Sequence, residues 1–356
     1  MGLPNAGKST LFNALAKAHA PAAGHPFTTV EPNVGVAMVP DPRLDALVDV
    51  LKPERAVAAH VRFVDIAGLV RGAHLGEGLG NRFLAHVRET DAVLLVLRAF
   101  TADTVPHPEA RIDPVRDLQV LITELSLADL ETATRAAEKA ERRAAGTRVE
   151  VERDRAAALK RAVGVLERGE ILRGALSGDD LARIRDAFLL TSKPFLFVVN
   201  VGEEDLDREE AVVGPVRAEG PPGSEVLAVC AKLEEEVEDL PDDEAQTLLK
   251  EFGVKVRGTA RIAEAARRLL GLITFYSIES SECRAWLIPR GTTAVGAAAE
   301  VHTDMARGFI RAEVVPAEDL IGAGSVAHAR ERGVAKIEGR DYVVQDGDVL
   351  TFRFRT

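Results

Sequence analysis

The chain opens with a glycine-rich segment that constrains both its fold and its chemistry. Residues Gly2–Thr10 read GLPNAGKST and match the pattern G-x-x-x-x-G-K-[ST]. Glycines let such a loop bend so that successive backbone N–H groups point at one phosphate. Lys8 would bring positive charge to the outer phosphates, and Ser9 offers a hydroxyl to Mg²⁺. The residues that follow predict a helix whose N-terminal dipole adds to anion binding. The predicted phosphate site comprises Asn5, Ala6, Gly7, Lys8, Ser9 and Thr10.

Three further segments supply the remaining parts of a nucleotide site. Phe63–Gly68 is a hydrophobic strand ending in D-x-x-G, where Asp65 would hold a Mg²⁺-bound water and the Gly68 N–H would meet the γ-phosphate. Phe195–Asn200 is an apolar strand that ends where a base-reading loop sits, and Val226–Lys232 ends in a small-small-Lys sequence. This order is typical of GTPase-like P-loop proteins. It predicts base contacts from Asn200, Val201, Glu203, Cys230, Ala231 and Lys232.

The residues that follow Asn200 favour adenine over guanine. GTP-specific proteins of this class carry N-K-x-D here, and the aspartate accepts hydrogen bonds from guanine N1–H and the 2-amino group. This chain reads Asn200-Val-Gly-Glu203, so a valine replaces the flanking lysine and the acid is one methylene longer. Buried polar groups left unpaired discriminate strongly between ligands. We therefore expect ATP to bind at least as well as GTP.

Composition limits the class of protein. A chain of 356 residues is expected to form two or three domains. It contains no apolar run long enough to span a membrane, so no membrane association is expected. Two cysteines are too few for a disulfide framework, and we expect the reducing cytosol as the compartment. Because the formal net charge is −11, any nucleic-acid contact must use a local basic patch.

Periodicity divides the chain into three parts. Residues 1–124 and 193–272 alternate short strands with helices, which predicts an α/β nucleotide-binding domain around a central sheet. Residues 125–192 are helical and turn at Gly146-Thr147. They fit an inserted helical hairpin and, equally well, a surface helix pair without a partner. The hairpin's predicted seam of small residues is Ala133, Ala137, Ala140 and Ala144, facing Ala156, Leu159, Val163 and Leu166.

Residues 273–356 change to the periodicity of strands separated by glycine-rich turns. They predict a small mixed β-sheet packed on a helix near Thr293–His302. We interpret this part as a binding module, because the sequence shows no nucleophile–base pair or metal cluster in it. The predicted strands are Thr274–Ile278, Arg284–Ile288, Phe309–Val314, Tyr342–Val344 and Val349–Phe354.

The whole chain resembles the Obg-like ATPases of the YchF type, a branch of the Obg-related translation-factor NTPases. The matching segments are GLPNAGKSTLFNAL, FTTVEPN, VPDPRLDAL, FVDIAGLVRGAHLGEGLGNRFLAHVRET, HTDMARGFIRAEV and YVVQDGDVLTFRF. The resemblance implies an inserted helical hairpin and a C-terminal β-grasp-like TGS domain. It also implies ATP hydrolysis and association with ribosomes.

The resemblance assigns roles to further residues. Thr29 matches the switch threonine that completes the Mg²⁺ shell beside the γ-phosphate, and Ser9 and Asp65 complete the predicted metal set. His107 lies in a loop where the family carries a histidine to which catalysis can be ascribed. Asn5 matches an asparagine that can support a K⁺ ion. The residue after D-x-x-G is Leu69 rather than a water-orienting glutamine, so slow hydrolysis is expected.

The sequence departs from the family at its start, because family members begin with a short apolar strand and this chain begins at the loop. We expect a start-site error rather than a real deletion. Three functions remain open: an ATPase switch acting on the ribosomal large subunit, rRNA or tRNA, an Obg-type GTPase, or an RNA-binding adaptor with a vestigial nucleotide site. A monomer is expected.

Overall fold

The computed structural model describes residues 1–17, 33–66, 79–102, 105–108, 111–146, 149–279 and 281–355. Its contacts divide the chain into two units, and each consists of two segments. The first unit contains Met1–Gly35 and Phe63–Arg261, and the second contains Val36–Arg62 and Ile262–Thr356.

The helices of the described chain are α1 Lys8–Lys17, α2 Pro42–Leu51, α3 Leu79–Glu89, α4 Pro114–Ala145, α5 Glu150–Glu167, α6 Leu172–Ala175, α7 Gly178–Arg183, α8 Glu209–Glu219, α9 Ala231–Glu238, α10 Asp242–Glu251, α11 Gly258–Leu269, α12 Ala294–Val301, α13 Thr303–Arg307, α14 Ala317–Ala323 and α15 Val326–Glu331. The strands are β1 Asn33–Met38, β2 Arg55–Val57, β3 His60–Asp65, β4 Val93–Arg98, β5 Phe195–Asn200, β6 Glu225–Val229, β7 Leu272–Glu279, β8 Glu282–Pro289, β9 Phe309–Pro316, β10 Lys336–Glu338 and β11 Asp348–Phe354. They form three sheets with the orders β1-β3, β4-β5-β6 and β10-β9-β11-β7-β8-β2.

The first unit is built around the parallel sheet β4-β5-β6. Every residue of β5 is buried, as expected for a continuous apolar run in a parallel sheet covered on both faces. Because the strands are parallel, their carboxyl ends meet at one edge, and polar residues follow there: Arg98 and Asn200 end β4 and β5. Ligands of open α/β sheets bind outside this edge.

The first three residues of the chain lie beside β4. Gly2 forms a parallel β-bridge with Val96, and the Val96 N–H donates to the Met1 carbonyl at 2.8 Å. Leu3 is buried in the core of the first unit. Residues 1–3 thus occupy the sheet position that a strand would fill, although only one bridge forms.

Helices α4 and α5 pack against each other as an antiparallel pair. The Asp113 side chain caps α4 by accepting the Arg116 N–H at 3.1 Å, and Pro114 occupies the first helical turn. Most of the predicted seam is buried, and Ala133, Ala137 and Ala140 share a core with Ala156 and Leu159. Ala144 and Val163 are only partly buried at its margin. Thr147 of the predicted turn lies outside the described residues. The description of residues 125–192 as an inserted hairpin domain stays a prediction.

The second unit holds a six-stranded sheet in which β11–β7 and β2–β8 are parallel and the other pairs are antiparallel. One face packs on α12, and the other packs on α2, α14 and α15. The predicted strand Tyr342–Val344 is wrong, since Val343 contributes a single bridge to Thr293. Strands β2 and β10 were not predicted; each is three residues long, too short for an alternating pattern.

The segment 36–62 differs from its sequence-based assignment to the nucleotide domain. Leu44 and Leu47 of α2 are buried in the same core as Tyr276 and Ala285 of the second unit. The amphipathic pattern of α2 predicts a helix but does not say which sheet its apolar face covers. The TGS description of residues 273–356 remains a prediction.

Within the described ranges, no helix is both long and apolar enough to cross a bilayer. Cys230 and Cys283 are both buried free thiols.

Candidate nucleotide-binding site

The P-loop makes a tight bend between the end of residues 1–3 and the start of α1. Asn5 has a φ of 61° and Gly7 a φ of 84°, so the chain passes through the left-handed region twice within three residues. A Cβ atom at Gly7 would collide with the Asn200 amide nitrogen. Glycine is therefore required at this position for two reasons, the backbone conformation and the close approach of Asn200.

Lys8 is the first residue of α1, and its side chain folds back over the loop. Its Nζ donates to the Leu3 carbonyl at 2.9 Å. Burial lowers the pKa of Lys8, and the negative charge of Asp65 offsets part of this effect. A partly desolvated cation that is held by one carbonyl is well prepared to receive a phosphate anion.

Asp65 and Ser9 are the described members of the predicted metal set. Asp65 ends β3, and Ser9 is exposed in the first turn of α1. No group of three His, Cys, Asp or Glu side chains in the described residues forms a metal cluster. A hydroxyl and a carboxylate fit Mg²⁺, which takes few protein ligands and uses phosphate oxygens and waters for the rest. Thr29 and Gly68 lie outside the described residues, as does Leu69.

Asn200 connects the P-loop to the loop after β6. Its Nδ2 donates to the Ala6 carbonyl at 3.1 Å, and its Oδ1 accepts the Ala231 N–H at 3.0 Å. The residue is 4% exposed. Both ends of the amide are thus engaged by backbone groups, so Asn200 organises the walls of the site through hydrogen bonds to them.

Glu203 and Lys232, predicted to face the base, form an ion pair. The Lys232 Nζ donates to Glu203 Oε1 at 3.0 Å, and this bond raises the pKa of the lysine. Val201 is buried. Cys230 is also buried, and burial raises the pKa of its thiol. The carboxylate that would accept guanine hydrogen bonds in an N-K-x-D protein is here engaged by a lysine of the same chain.

These groups surround one open cleft of ≈ 730 Å³, within the size range of small-ligand sites. Of the predicted phosphate and base residues, all but Ala6 line it, and Ala6 contributes through its carbonyl bond to Asn200. The sequence did not predict all of the residues that line the cleft. The additional lining residues are Phe100, Thr101, Ala102, Val105, Gly202, Glu204 and Glu235.

Phe100 is the main residue that sequence reasoning missed. It lies two residues after β4, at the carboxyl edge of the sheet, and this position in the sequence could have indicated it. The Ala99 and Phe100 N–H groups both donate to the Asn200 carbonyl, at 2.8 and 3.1 Å. The nearby Asn5 Nδ2 donates to the Pro106 carbonyl at 2.9 Å, which ties the P-loop to the same segment.

His107 is close to the site but does not line the cleft. Its Nε2 lies 2.8 Å from Asp117 Oδ2, and its side chain is 4% exposed. Asp117 is a buried residue near the start of α4. The structure therefore pairs the histidine with this carboxylate, and a catalytic role for it stays a prediction.

Comparison with known proteins gives a consistent assignment. The family model described as "50S ribosome-binding GTPase" matches residues 1–131, and YchF-GTPase_C, described as a protein of unknown function, matches residues 272–355. The "Ribosome-binding ATPase YchF" of Pasteurella multocida is 44% identical over 99% of this chain and 98% of its own. The protein of the same name from Bacillus subtilis is 40% identical at the same coverage.

A solved structure agrees with the sequence matches. The chain titled "Structure of the Schizosaccharomyces pombe YchF GTPase" has a TM-score of 0.86 and 31% identity, covering 99% of this chain and 96% of that one. The resemblance noted from the sequence motifs is confirmed, and so is the P-loop GTPase fold of the sheet domain. The chain belongs to the YchF family of P-loop NTPases.

Proposed function

We propose that this protein binds ATP with Mg²⁺ in the cleft at the carboxyl edge of β4-β5-β6, hydrolyses it slowly and acts on the ribosome. The observation that carries the nucleotide part is the Glu203–Lys232 ion pair beside the buried Val201. Relatives whose names include "Ribosome-binding ATPase" support both parts.

The preference for ATP follows from the hydrogen-bonding groups on the base side. Guanine needs an acceptor for N1–H and the 2-amino group, and Glu203 accepts from Lys232 instead. Asn200 uses both ends of its amide on Ala6 and Ala231. Guanine would compete with Lys232 for the Glu203 carboxylate, whereas adenine makes no such demand.

The phosphate side supplies charge and orientation. The N–H groups of the P-loop and the Lys8 ammonium would hold the β- and γ-phosphates, and Ser9 and Asp65 would hold Mg²⁺ directly and through water. When bound, the metal neutralises charge on the phosphates. Thr29 and Gly68 are proposed γ-phosphate contacts. Because Leu69 cannot orient water, the basal rate is expected to be low.

The test is a calorimetric titration of the full chain with ATP and with GTP, each in Mg²⁺, together with phosphate-release assays. We expect ATP to bind at least as tightly as GTP. Lys8→Ala should weaken ATP binding by more than about tenfold, since a hydrogen bond to a charged group contributes about 1.5–3 kcal/mol. Lys139→Ala, which removes an exposed lysine of α4, is the matched control and should change nothing.

Other outcomes would support the competing functions. A clear preference for GTP would favour the GTPase named in the matching family model and in the fission-yeast structure. Absence of Mg²⁺-dependent binding of either nucleotide would favour an adaptor with a vestigial site.

A K⁺ ion beside the phosphates is a further proposal. Asn5 stands at the bend of the P-loop and uses its Nδ2 on Pro106, while its Oδ1 accepts no hydrogen bond from the described residues. An amide oxygen is a suitable ligand for a hard monovalent cation. Turnover in K⁺ buffer should exceed turnover in Na⁺ buffer at equal ionic strength, and equal rates would contradict the proposal.

The proposed ribosomal contact involves the second unit rather than the hairpin. Several arginines of α4 and α5 are paired with acids of the same chain, as in Arg142–Glu138 and Arg161–Asp180. In contrast, Arg311 of β9 lies directly opposite Arg353 of β11. Both are exposed, and the carboxylate that feels their charge, Glu313, is already paired with Arg330. Like charges opposite each other are destabilising, and phosphates of rRNA would relieve the repulsion.

Co-sedimentation with ribosomes and with isolated large subunits tests this contact. The double variant Arg311→Gln/Arg353→Gln should pellet less and show a shallower dependence on salt concentration, by about one unit of slope per lost phosphate contact. Arg142→Gln, whose arginine is already paired, should pellet like the wild-type protein. If Arg311→Gln/Arg353→Gln pelleted with ribosomes as fully as Arg142→Gln, the proposed contact would be contradicted. A ribosomal role also implies a cytoplasmic protein, and we propose that it acts as a monomer.

A further inference from the structure

Arg98, the last residue of β4, is a buried cation outside the predicted site. It is 1% exposed. Burial lowers the pKa of its guanidinium, and the charge of Asp117 offsets only part of this effect. The described residues provide no carboxylate within ion-pairing distance of it. Burying an unpaired charge costs several kcal/mol, so the contacts that Arg98 does make need an explanation.

Those contacts all go to the segment that follows β4. Arg98 Nε donates to the Phe100 carbonyl at 3.2 Å, and Nη2 donates to the Val105 carbonyl at 2.9 Å. Nη1 is buried without a partner among the described atoms. The guanidinium carbon lies 4.4 Å from the centroid of the Phe100 ring, a cation–π contact. One planar group therefore fixes both the backbone and the ring of Phe100.

Phe100 is half-buried and lines the cleft. Its ring reaches the P-loop, because a Cβ atom placed on Gly7 would lie 3.6 Å from Phe100 Cε1. One face of the ring is covered by Arg98. An aromatic ring held in this way, beside the loops predicted to contact the base, offers a flat surface for stacking.

We propose that Arg98 is a positioning residue, which acts through Phe100 to hold the stacking wall for the nucleobase of the bound nucleotide. This inference rests on the proposed function and adds a determinant of base affinity to it. A lysine would keep the charge but lose the planar group that bonds two carbonyls and stacks on the ring at once. No hydrogen bond joins Arg98 to the described P-loop residues, so the affinity for phosphates should depend on it much less than the affinity for the base.

The test measures separately how much the base and the phosphates contribute to affinity. The affinity of the full chain for ATP is measured by calorimetry, and its affinity for inorganic tripolyphosphate by competition with a fluorescent ATP analogue, both in Mg²⁺. Arg98→Lys should weaken ATP binding about five- to tenfold, a part of the 1–3 kcal/mol that a stacked base contributes. Tripolyphosphate affinity should stay within about twofold.

A comparison of single and double variants tests whether Arg98 acts through Phe100. Phe100→Leu should also weaken ATP binding, and Arg98→Lys/Phe100→Leu should lose no more than Phe100→Leu alone, because the two residues act as one. Arg88→Lys is the control. Arg88 also donates to a backbone carbonyl, that of Phe188, but it does not line the cleft, and this variant should bind ATP normally. Arg98→Gln, which keeps a donor, replaces Arg98→Lys if the lysine variant does not fold.

Three results would overturn the proposal. Unchanged ATP affinity in both Arg98 variants would show that the residue does not position the wall. Equal losses for ATP and tripolyphosphate would show a general structural role. Additive losses in the double variant would show that Arg98 does not act through Phe100. The wild-type protein tests the proposed function separately. If it bound tripolyphosphate but showed no extra affinity for ATP, the proposed function would fail together with the role of Arg98, whereas the three results above would overturn only the role of Arg98.

Discussion

At the residue scale, the site depends on side chains that bind other parts of the protein. Asn200 stands at the position of a base-reading asparagine, yet its amide bonds the P-loop at Ala6 and the start of α9 at Ala231. Its own carbonyl accepts two N–H groups of the segment after β4. One residue thereby joins three segments that follow different strands or precede a helix: the P-loop, the segment after β4 and the start of α9. Its contribution to nucleotide binding should therefore not depend on the base.

Replacing Asn200 with alanine tests this interpretation. The substitution leaves the Ala6 carbonyl and the Ala231 N–H without their partner in a buried position, which costs about 1–3 kcal/mol. We expect a lower free energy of unfolding in urea and a similar fractional loss of affinity for ATP and GTP. Asn13→Ala is the control, because Asn13 makes an exposed hydrogen bond to Glu235. A loss of affinity for only one nucleotide would show that Asn200 contacts the base.

At the scale of elements, the hairpin α4–α5 depends on small side chains. Ala162 of α5 is 0% exposed and belongs to the same core as Ala137 and Ala140 of α4. Alanines at these positions let two helices approach closely, so the pair has little free volume. The same core also contains Leu172 and Ile184, which follow α5 in the chain.

Ala162→Leu should therefore destabilise the hairpin by overpacking. Inserting the larger side chain into a filled core typically costs about 1–3 kcal/mol. Ala157→Leu places the same side chain at an exposed position of the same helix and should change stability by less than about 0.5 kcal/mol. Urea unfolding followed by circular dichroism measures both. Equal stability of the two variants would mean that the helices separate readily to admit the leucine.

The same scale shows what the sequence could and could not predict. The apolar run of β5 and the motif that opens the chain were enough to predict the sheet and the phosphate loop, because each depends only on neighbouring residues in the sequence. The place of α2 was missed, since the helix pattern does not identify its partner sheet. Phe100 was missed because a single aromatic residue after a strand carries no motif. The His107–Asp117 contact joins a loop to a helix and has no signature in spacing.

At the scale of the whole molecule, each unit has its own hydrophobic core. The first is centred on β4-β5-β6 and the hairpin, and the second on the six-stranded sheet. Units with separate cores are able to unfold separately. Each also contains one buried free cysteine, Cys230 in the first unit and Cys283 in the second. Burial raises the pKa of the Cys283 thiol to about 11. Neither thiol should react until its own unit opens.

Thiol labelling across a urea series therefore reports the two units independently, with the two cysteine peptides resolved by mass spectrometry. The proposed nucleotide site lies wholly in the first unit. ATP with Mg²⁺ at about 100 times its dissociation constant should stabilise that unit by about 2.7 kcal/mol. With a urea dependence of about 1–3 kcal/mol/M, the Cys230 midpoint should rise by roughly 1 M or more. The Cys283 midpoint should move by less than half as much. Equal shifts of both midpoints would show that the two units unfold as one, because nucleotide binding would then stabilise a single cooperative structure.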